Sequence, residues 1–372
     1  MGRFGCGGYS TKFAGHPRWA GLTGWKAVRL LAAAKSPNLM SASILVTGGA
    51  GYIGSHTVRL LASQGFRIVV LDNLVFGHHD AIVDESVELV VGEIGDRALL
   101  ERLFDEHGFQ AVVHFAAYAY VGESVTNPLK YYRNNTAEPL TLLEVMQDRG
   151  CKNFVFSSTC ATYGVPAAIP ITESNPQDPI NPYGRSKLML EWVLRDCEQA
   201  WGLKSACLRY FNASGAADDG SIGEDHDPET HLIPRVLMAV TGEISHVDVF
   251  GTDYPTPDGT CIRDYIHVAD LADAHAKALS YLADGGDSVR CNLGTGVGVS
   301  VKEIIEAVEE VTGKEVPVKY GPRREGDPPQ LLADPQLAKD VLGWEAAHKD
   351  VRDMVRSAWA WMSGPNQGHY RK

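Results

Sequence analysis

No acidic residue occurs in this 372-residue chain before Asp72, although the whole chain carries a formal charge of −12 at pH 7. Residues 1–40 hold six Lys or Arg and no acid, so the rest of the chain sums to −18. An acidic body of that size repels a phosphate backbone, which argues against nucleic acid as a partner. No apolar run approaches the ~20 residues that span a bilayer, so no membrane partner is expected. The seven cysteines are scattered and form no C-x-x-C pair, which disfavours both a disulfide framework and the common zinc spacings. We therefore expect no metal and a reducing compartment, the cytoplasm. There is no internal repeat and no low-complexity linker, so any lobes are packed together rather than tethered. At 44% hydrophobic and 22% charged residues, the composition is that of an ordinary globular protein with one sizeable domain and a smaller one.

The basic head, residues 1–42, is rich in Gly, Ala, Arg and Trp and offers no strand or helix of useful length. It reads as an organelle transit segment or, the reading we favour, as upstream sequence ahead of a true start at Met40.

What is present begins at Ile44. The run Ile44-Leu45-Val46-Thr47 feeds a glycine-spaced turn and then an apolar-periodic helix. Gly48 permits a tight turn after the strand, Gly51 lets the backbone approach a pyrophosphate, and Gly54 lets the helix pack close to the sheet. A second apolar strand, Arg67 to Leu71, ends in Asp72-Asn73, with Asp72 placed 24 residues after Gly48. A carboxylate there accepts the ribose hydroxyls of adenosine and repels a 2′-phosphate, which favours NAD over NADP.

From Ile44 to about Tyr210, strand-like runs alternate with helical patterns, which predicts an α/β fold: a Rossmann-type doubly wound parallel sheet. The expected strands include Val87–Val91, Ala111–His114 with Phe115, and Phe154–Phe156 with Ser157. Ligands on such sheets bind beyond the carboxyl ends of the strands. Chemistry is therefore sought just after them, at Asp72-Asn73, Gly92-Glu93-Ile94, Phe115-Ala116-Ala117, Ser157-Ser158-Thr159 and Arg209-Tyr210-Phe211-Asn212. The loop-rich stretches Ala216–Asp227 and Gly251–Gly259 predict a smaller mixed α/β substrate lobe. We expect a dinucleotide domain over 43–212, with a segment at about 262–296 returning to it, and a second lobe from 213–261 and 297–372.

Pro182 opens a helix on which Tyr183 and Lys187 lie four residues apart, on one face. A phenol with an ordinary pKa of about 10 is a poor base at neutral pH unless nearby cations favour the phenolate. Lys187 supplies one cation and bound NAD+ another. Thr159, at the end of a preceding strand, can share a hydrogen bond with a sugar hydroxyl and Tyr183.

Ten ordered motifs now accumulate: T-G-G-A-G-Y-I-G-S-H (47–56), L-D-N-L (71–74), H-F-A-A (114–117), V-G-E-S (121–124), S-S-T-C-A-T-Y-G (157–164), N-P-Y-G-R-S-K (181–187), L-R-Y-F-N (208–212), D-G-T-C-I-R-D-Y-I-H-V (258–268), N-L-G-T-G (292–296) and R-R-E-G-D (323–327). Together they resemble the UDP-glucose 4-epimerases of the extended short-chain dehydrogenase/reductase group, over about residues 43–368. The resemblance implies a permanently held NAD, with Tyr183 taking the proton of the sugar 4-hydroxyl while hydride leaves C4. It implies that Tyr52, Ile53, Asn134, Ser157, Tyr210 and Phe211 join the residues above at the cofactor. It implies that Asn212, Leu232, Phe250, Arg263, Tyr265, Arg324, Asp327 and Leu331 face a UDP-sugar, and that the chain forms a homodimer through a helical bundle. An arginine fork suits the diphosphate of such a substrate.

Three positions depart from the family pattern. Ala119 stands where many members have Lys. Glu93 replaces the Asp that meets the adenine, and Leu331 stands at the position that gates sugar size. A branched apolar side chain there offers an N-acetyl group little hydrogen bonding. The stretches S-S-T-C-A-T-Y-G and A-Y-V-G-E-S also resemble the UDP-xylose/UDP-arabinose 4-epimerase branch, which leaves a pentose substrate open. A 4,6-dehydratase or decarboxylase on the same fold is disfavoured, because Thr159 is followed by Cys160 and Ala161 rather than by carboxylates. A non-catalytic NAD sensor is disfavoured by the joint presence of Thr159, Tyr183 and Lys187.

Overall fold

The glycine-spaced stretch is where the architecture starts. In the computed structural model, which describes residues 42–324 and 327–370, β1 (Ser43–Thr47) is buried along its length and hands over through Gly48 to α1 (Tyr52–Ser63). The readings made for residues 1–41, including Met40, lie outside the described residues. The chain continues through β2 (Arg67–Asp72), β3 (Glu88–Val91), α2 (Arg97–His107), β4 (Ala111–His114), α3 (Val121–Thr126), α4 (Pro128–Tyr132), α5 (Glu138–Asp148), β5 (Asn153–Thr159), α6 (Pro182–Trp201) and β6 (Lys204–Tyr210). Next come β7 (Asn212–Ser214), α7 (Leu232–Thr241), β8 (Val247–Phe250), β9 (Ile262–His267), α8 (Val268–Ala283) and β10 (Val289–Leu293). The last part comprises β11 (Gly298–Ser300), α9 (Val301–Thr312), β12 (Val318–Gly321), β13 (Gln330–Leu331), α10 (Gln336–Leu342) and α11 (Val351–Ser363).

Seven parallel strands form one sheet in the order β10-β6-β5-β4-β1-β2-β3. Successive strand residues face opposite sides. Ile44, Val46, Ile68 and Val70 pack with Val58 and Leu61 of α1 and Leu271 and Leu279 of α8. On the other side Leu45, Val69, Leu71, Phe154 and Phe156 pack with Leu100, Leu142 and Leu190 of α2, α5 and α6. Both faces are therefore covered, which is why these strands read as continuous apolar runs. The strand order reverses between β1 and β4, and that switch point opens a crevice at the carboxyl ends of the strands.

One expectation about strand ends needs correction. Ser157-Ser158-Thr159 and Arg209-Tyr210 were placed just past their strands, but β5 and β6 stay paired as far as Thr159 opposite Tyr210. β4 stops at His114, opposite Phe156, so the last three residues of β5 project beyond it with only β6 as a ladder partner. That projection carries them into the crevice.

The rest of the chain builds a smaller sheet, β11-β9-β13 with β7 beside β9, and a two-stranded β8–β12 ribbon. Of the segment 262–296, α8 and β10 join the large sheet while β9 heads the small one. Ile233 and Val236 of α7, Ile304 and Val308 of α9, and Met354 and Val355 of α11 form the second core. A capping box between Ser300 and Glu303 starts α9, and Gly313 ends it. The described residues belong to one compact unit, and none of the described helices is long and apolar enough to cross a membrane.

Gly48 is a position in the dinucleotide turn that no side chain fits. Its φ is +71°, and a Cβ would stand 2.4 Å from the backbone nitrogen of Ala116. Gly65 shares the left-handed conformation, at φ +85°, with nothing within 4 Å. Gly65→Ala should cost about 1 kcal/mol from backbone strain alone, and Gly48→Ala about 2–4 kcal/mol because backbone must also move. Urea unfolding midpoints of the two variants measure the difference, and equal losses would remove the close approach from the account.

Candidate active site

The turn after β1 is shaped for an anion. The Ala116 and Phe115 amides both donate to the Thr47 carbonyl, drawing the β4 turn against the β1 turn. A Cβ at Gly54 would meet the Gly48 carbonyl at 2.3 Å, so α1 starts as close to the sheet as backbone allows. At Gly51 the same test meets only the Gly48 carbonyl, at 3.5 Å, leaving the rim of the turn open at the N-terminus of α1. Tyr52 is buried and its hydroxyl donates to the Gly215 carbonyl, while Ile53 is half-buried. These features fit a dinucleotide pyrophosphate.

At the tip of β2, Asp72 accepts from the Ala50 and Leu74 amides, one on each oxygen. Burial raises its pKa while the two amides pull it down. Asn73 donates to Glu93, which follows β3 and precedes the buried Ile94. Asp72, Asn73 and Glu93 thus stand together at one end of the crevice. Asn134 donates to Asn135, whose amide group clamps Tyr118 and Ser186. Ala119 supplies no cation, and neighbouring Lys130 does not replace one, being paired with Glu123 over the Tyr118 ring.

Tyr183 and Lys187 occupy the first turns of α6, which Pro182 opens and Asn181 caps by accepting from the Gly184 amide. Gly184 lets this helix approach the turn after β5, since a Cβ there would lie 2.5 Å from the Ala161 carbonyl. Lys187 is buried and donates to the Ser157 carbonyl at 2.8 Å, with its Nζ 4.9 Å from the Phe156 ring centre. Burial pulls the Lys187 ammonium down to about 7, against the opposing charge of Glu191. Tyr183 is also buried, and desolvation pushes its phenol well above the usual value; Tyr210 adds to that rise and the Thr159 hydroxyl opposes it. Beside them the Ser157 and Tyr210 hydroxyls share a hydrogen bond of 2.7 Å. Cys160 follows Thr159, but burial pushes its thiol up to about 12, so it is no nucleophile.

The residues expected at a UDP-sugar gather on the small sheet. Asn212 stands opposite Tyr265 between β7 and β9, and Leu331 opposite Arg263 between β13 and β9. Arg263 is paired with Asp327 and also donates to the Ile262 carbonyl. Arg324 lies 4.0 Å over the Phe250 ring, and Leu232 opens α7 against the second core. Leu331 and Cys160 pack on the same buried group, Tyr163, Ile171, Phe211 and Ala333, which ties this sheet to the end of β5.

The comparisons decide the family. The NAD dependent epimerase/dehydratase family matches residues 44–294. The chain belongs to that family. It is 52% identical over 319 residues, 86% of this chain and 95% of the relative, to the UDP-glucose 4-epimerase of Halalkalibacterium halodurans. Among solved structures it resembles the UDP-glucose 4-epimerase of Brucella ovis in complex with NAD, at 52% identity and TM-score 0.84, covering 86% of this chain and 97% of that one. A Stenotrophomonas maltophila UDP-glucose-4-epimerase, with bound NAD and formylated UDP-arabinopyranose, is 43% identical with TM-score 0.84 over 87% of this chain and 98% of that one. The doubly wound sheet is thus the fold of an NAD-dependent epimerase/dehydratase.

Two clusters in this family member centre on residues not singled out in the sequence, Glu191 in the first and Glu224, His226, Glu229 and His231 in the second. Glu191, one turn beyond Lys187 on α6, accepts from Ser158 and twice from Arg209, at 3.0 and 2.5 Å. Arg209 also donates to Tyr163, which donates to Asn292. This chain of bonds underlies the projecting end of β5 and links it to β6 and β10. A Glu eight residues after Tyr183 falls near its face of a helix, which was the available signal. The second group, Glu224, His226, Glu229 and His231, brings four ligand atoms within 4.8 Å of one another. A surface hollow of about 420 Å³ lined by His79, Asp80, Ser221 and Tyr370 shares no residue with either group.

The Glu191–Arg209 pair is 2–3% exposed. Burial by itself would weaken the Arg209 charge, and the bonds from Glu191 more than reverse that. Glu191→Gln leaves the guanidinium buried without its counter-charge and should cost about 3–5 kcal/mol. Equilibrium unfolding measures this; a loss below about 1 kcal/mol would show that water reaches the pair.

Proposed function

We propose that this chain is an NAD-dependent isomerase that interconverts UDP-glucose and UDP-galactose by inverting C4 through a transient 4-keto sugar. The observation that carries this is the placement of Tyr183 and Lys187 on one face of α6 beside the projecting end of β5, next to a turn shaped for a dinucleotide. Identity of about one half to named UDP-glucose 4-epimerases supports it. In this reading residues 43–212, with 262–296, hold NAD, and residues 213–261 with 297–372 hold the UDP-sugar.

Tyr183 takes the proton of the sugar 4-hydroxyl and later returns it to the same oxygen. When bound, the dinucleotide accepts hydride from C4 and gives it back to the opposite face of the ring. Lys187 steadies the phenolate electrostatically, and Thr159 orients the reacting hydroxyl. Burial alone drives the phenol and the ammonium toward their neutral forms, so the base is favoured only when further positive charge reaches the crevice. Arg263, Arg324 and Asn212 grip the diphosphate end while the sugar turns. Leu331 disfavours an N-acetyl group. A UDP-pentose is the second reading, favoured by the UDP-arabinopyranose derivative in the Stenotrophomonas relative. Exposed Leu140 on α5 and Met189 and Trp192 on α6 support a homodimer through these helices. The six described cysteines are free, which suits a reducing, cytoplasmic setting.

Tyr183→Phe should keep NAD bound and lower the epimerisation rate by about 10²–10⁴-fold; product analysis with UDP-glucose measures it, and near-normal turnover would exclude Tyr183 as the base. Activity through a phenolate rises as pH climbs through the Tyr183 pKa. Lys187→Met removes a charge that favours the phenolate, so the acid limb of the pH–rate profile should move to higher pH. A limb that stays in place with the same turnover would take Lys187 out of the mechanism.

A further inference from the structure

The segment Glu224-Asp-His226-Asp-Pro-Glu229-Thr-His231 brings two carboxylates and two imidazoles to one point. The Glu224 and Glu229 side chains are only 5% and 6% exposed. The geometry is convergent rather than pairwise. Both imidazole Nδ1 atoms point at the same Glu224 oxygen, His231 at 2.6 Å and His226 at 3.1 Å. The two Glu229 oxygens stand 3.2 Å from His231 Nδ1 and 3.6 Å from His226 Nδ1. As ion pairs, both imidazoles would have to be protonated on Nδ1 and crowd one oxygen, with their ring centres 5.4 Å apart.

We propose that these four side chains bind one divalent transition cation of the zinc class. The imidazole–carboxylate separations of 2.6–3.6 Å, with all four ligand atoms within 4.8 Å of one another, span the about 3.3 Å that four ligands at ~2.0 Å from a tetrahedral ion impose on one another. Imidazole and carboxylate oxygen suit such an ion, and two neutral imidazoles with two carboxylates balance its charge. Outer contacts hold the ligands in place, as metal sites require. The Thr230 and His231 amides both donate to Glu229, and the Trp361 indole donates to the Glu224 carbonyl. Four protein ligands close the coordination sphere, so the ion is structural. It ties the loop before α7 to α11 through Trp361 and to the glycine turn through Tyr52, whose ring meets that of His226 edge-on at 6.3 Å. This site is independent of the isomerase reading and stands or falls without it.

The test uses the full chain, stripped with a chelator, desalted, mixed with equimolar Zn²⁺ and passed through gel filtration, with metal then counted by mass spectrometry. About one zinc per chain is expected, together with a rise in melting temperature. His226→Asn and Glu224→Gln, shown to be folded by circular dichroism, should retain at least about tenfold less. In the Co²⁺-loaded wild type, visible absorption of tetrahedral intensity is expected and should vanish in both variants. Wild-type protein that keeps less than about a tenth of an equivalent of either ion would overturn the proposal and leave the quartet as a salt-bridged cluster, with no reliance on the variants. So would folded variants that retain the wild-type zinc content, since the ion would then sit elsewhere.

Discussion

The buried Lys187, whose amine donates to the Ser157 carbonyl, is the constraint around which the crevice is built. An ammonium loses much of its hydration on burial, which pulls Lys187 down to about 7 and makes its charge depend on what enters the crevice. The carbonyl that holds it is available because β5 projects three residues past β4, and the helix that carries it packs against the turn after β5 because Gly184 has no side chain. Tyr183, one turn earlier, inherits its position from the same two facts. The hydroxyls of Ser157, Tyr210 and Thr159 surround the pair, a polar rim at the end of an otherwise apolar sheet.

The two lobes divide the work by rigidity. The strands at the centre of the large sheet, β1, β2, β4, β5 and β6, are packed by cores on both faces, so the turn at Gly48 and the ends of β2, β4 and β5 are fixed relative to one another. The small sheet presents its candidate ligands on short strands and loops, with Arg324 exposed and Arg263 held by one carboxylate and its neighbour's carbonyl. Epimerisation needs that contrast: a fixed site for hydride exchange, and a grip on UDP that leaves the sugar able to turn.

Much of this was legible in the residues. The order strand, glycine turn, helix, strand, acid carries its own geometry, because Gly48 and Gly54 sit where any side chain would strike backbone. Tyr183 and Lys187 were found because a four-residue spacing after Pro182 puts them on one helix face. Strand ends were less legible. Ser157 to Thr159 were placed just past their strand, whereas the ladder with β6 keeps them extended. The Glu191–Arg209 bond joins positions 18 apart on different elements, and nothing in local pattern announces a buried charge pair. The quartet from Glu224 to His231 lay in a stretch that composition marks as loop, and cysteine spacing, the signal used to set metal aside, does not detect histidine and glutamate ligands.

The central claim is that hydride leaves C4 of the sugar and returns to the same carbon without meeting solvent. UDP-glucose carrying deuterium at C4, turned over by the full chain in ordinary water, tests this most directly. The account predicts that UDP-galactose forms with the deuterium still on C4. Product formed with that position occupied by solvent hydrogen would contradict it.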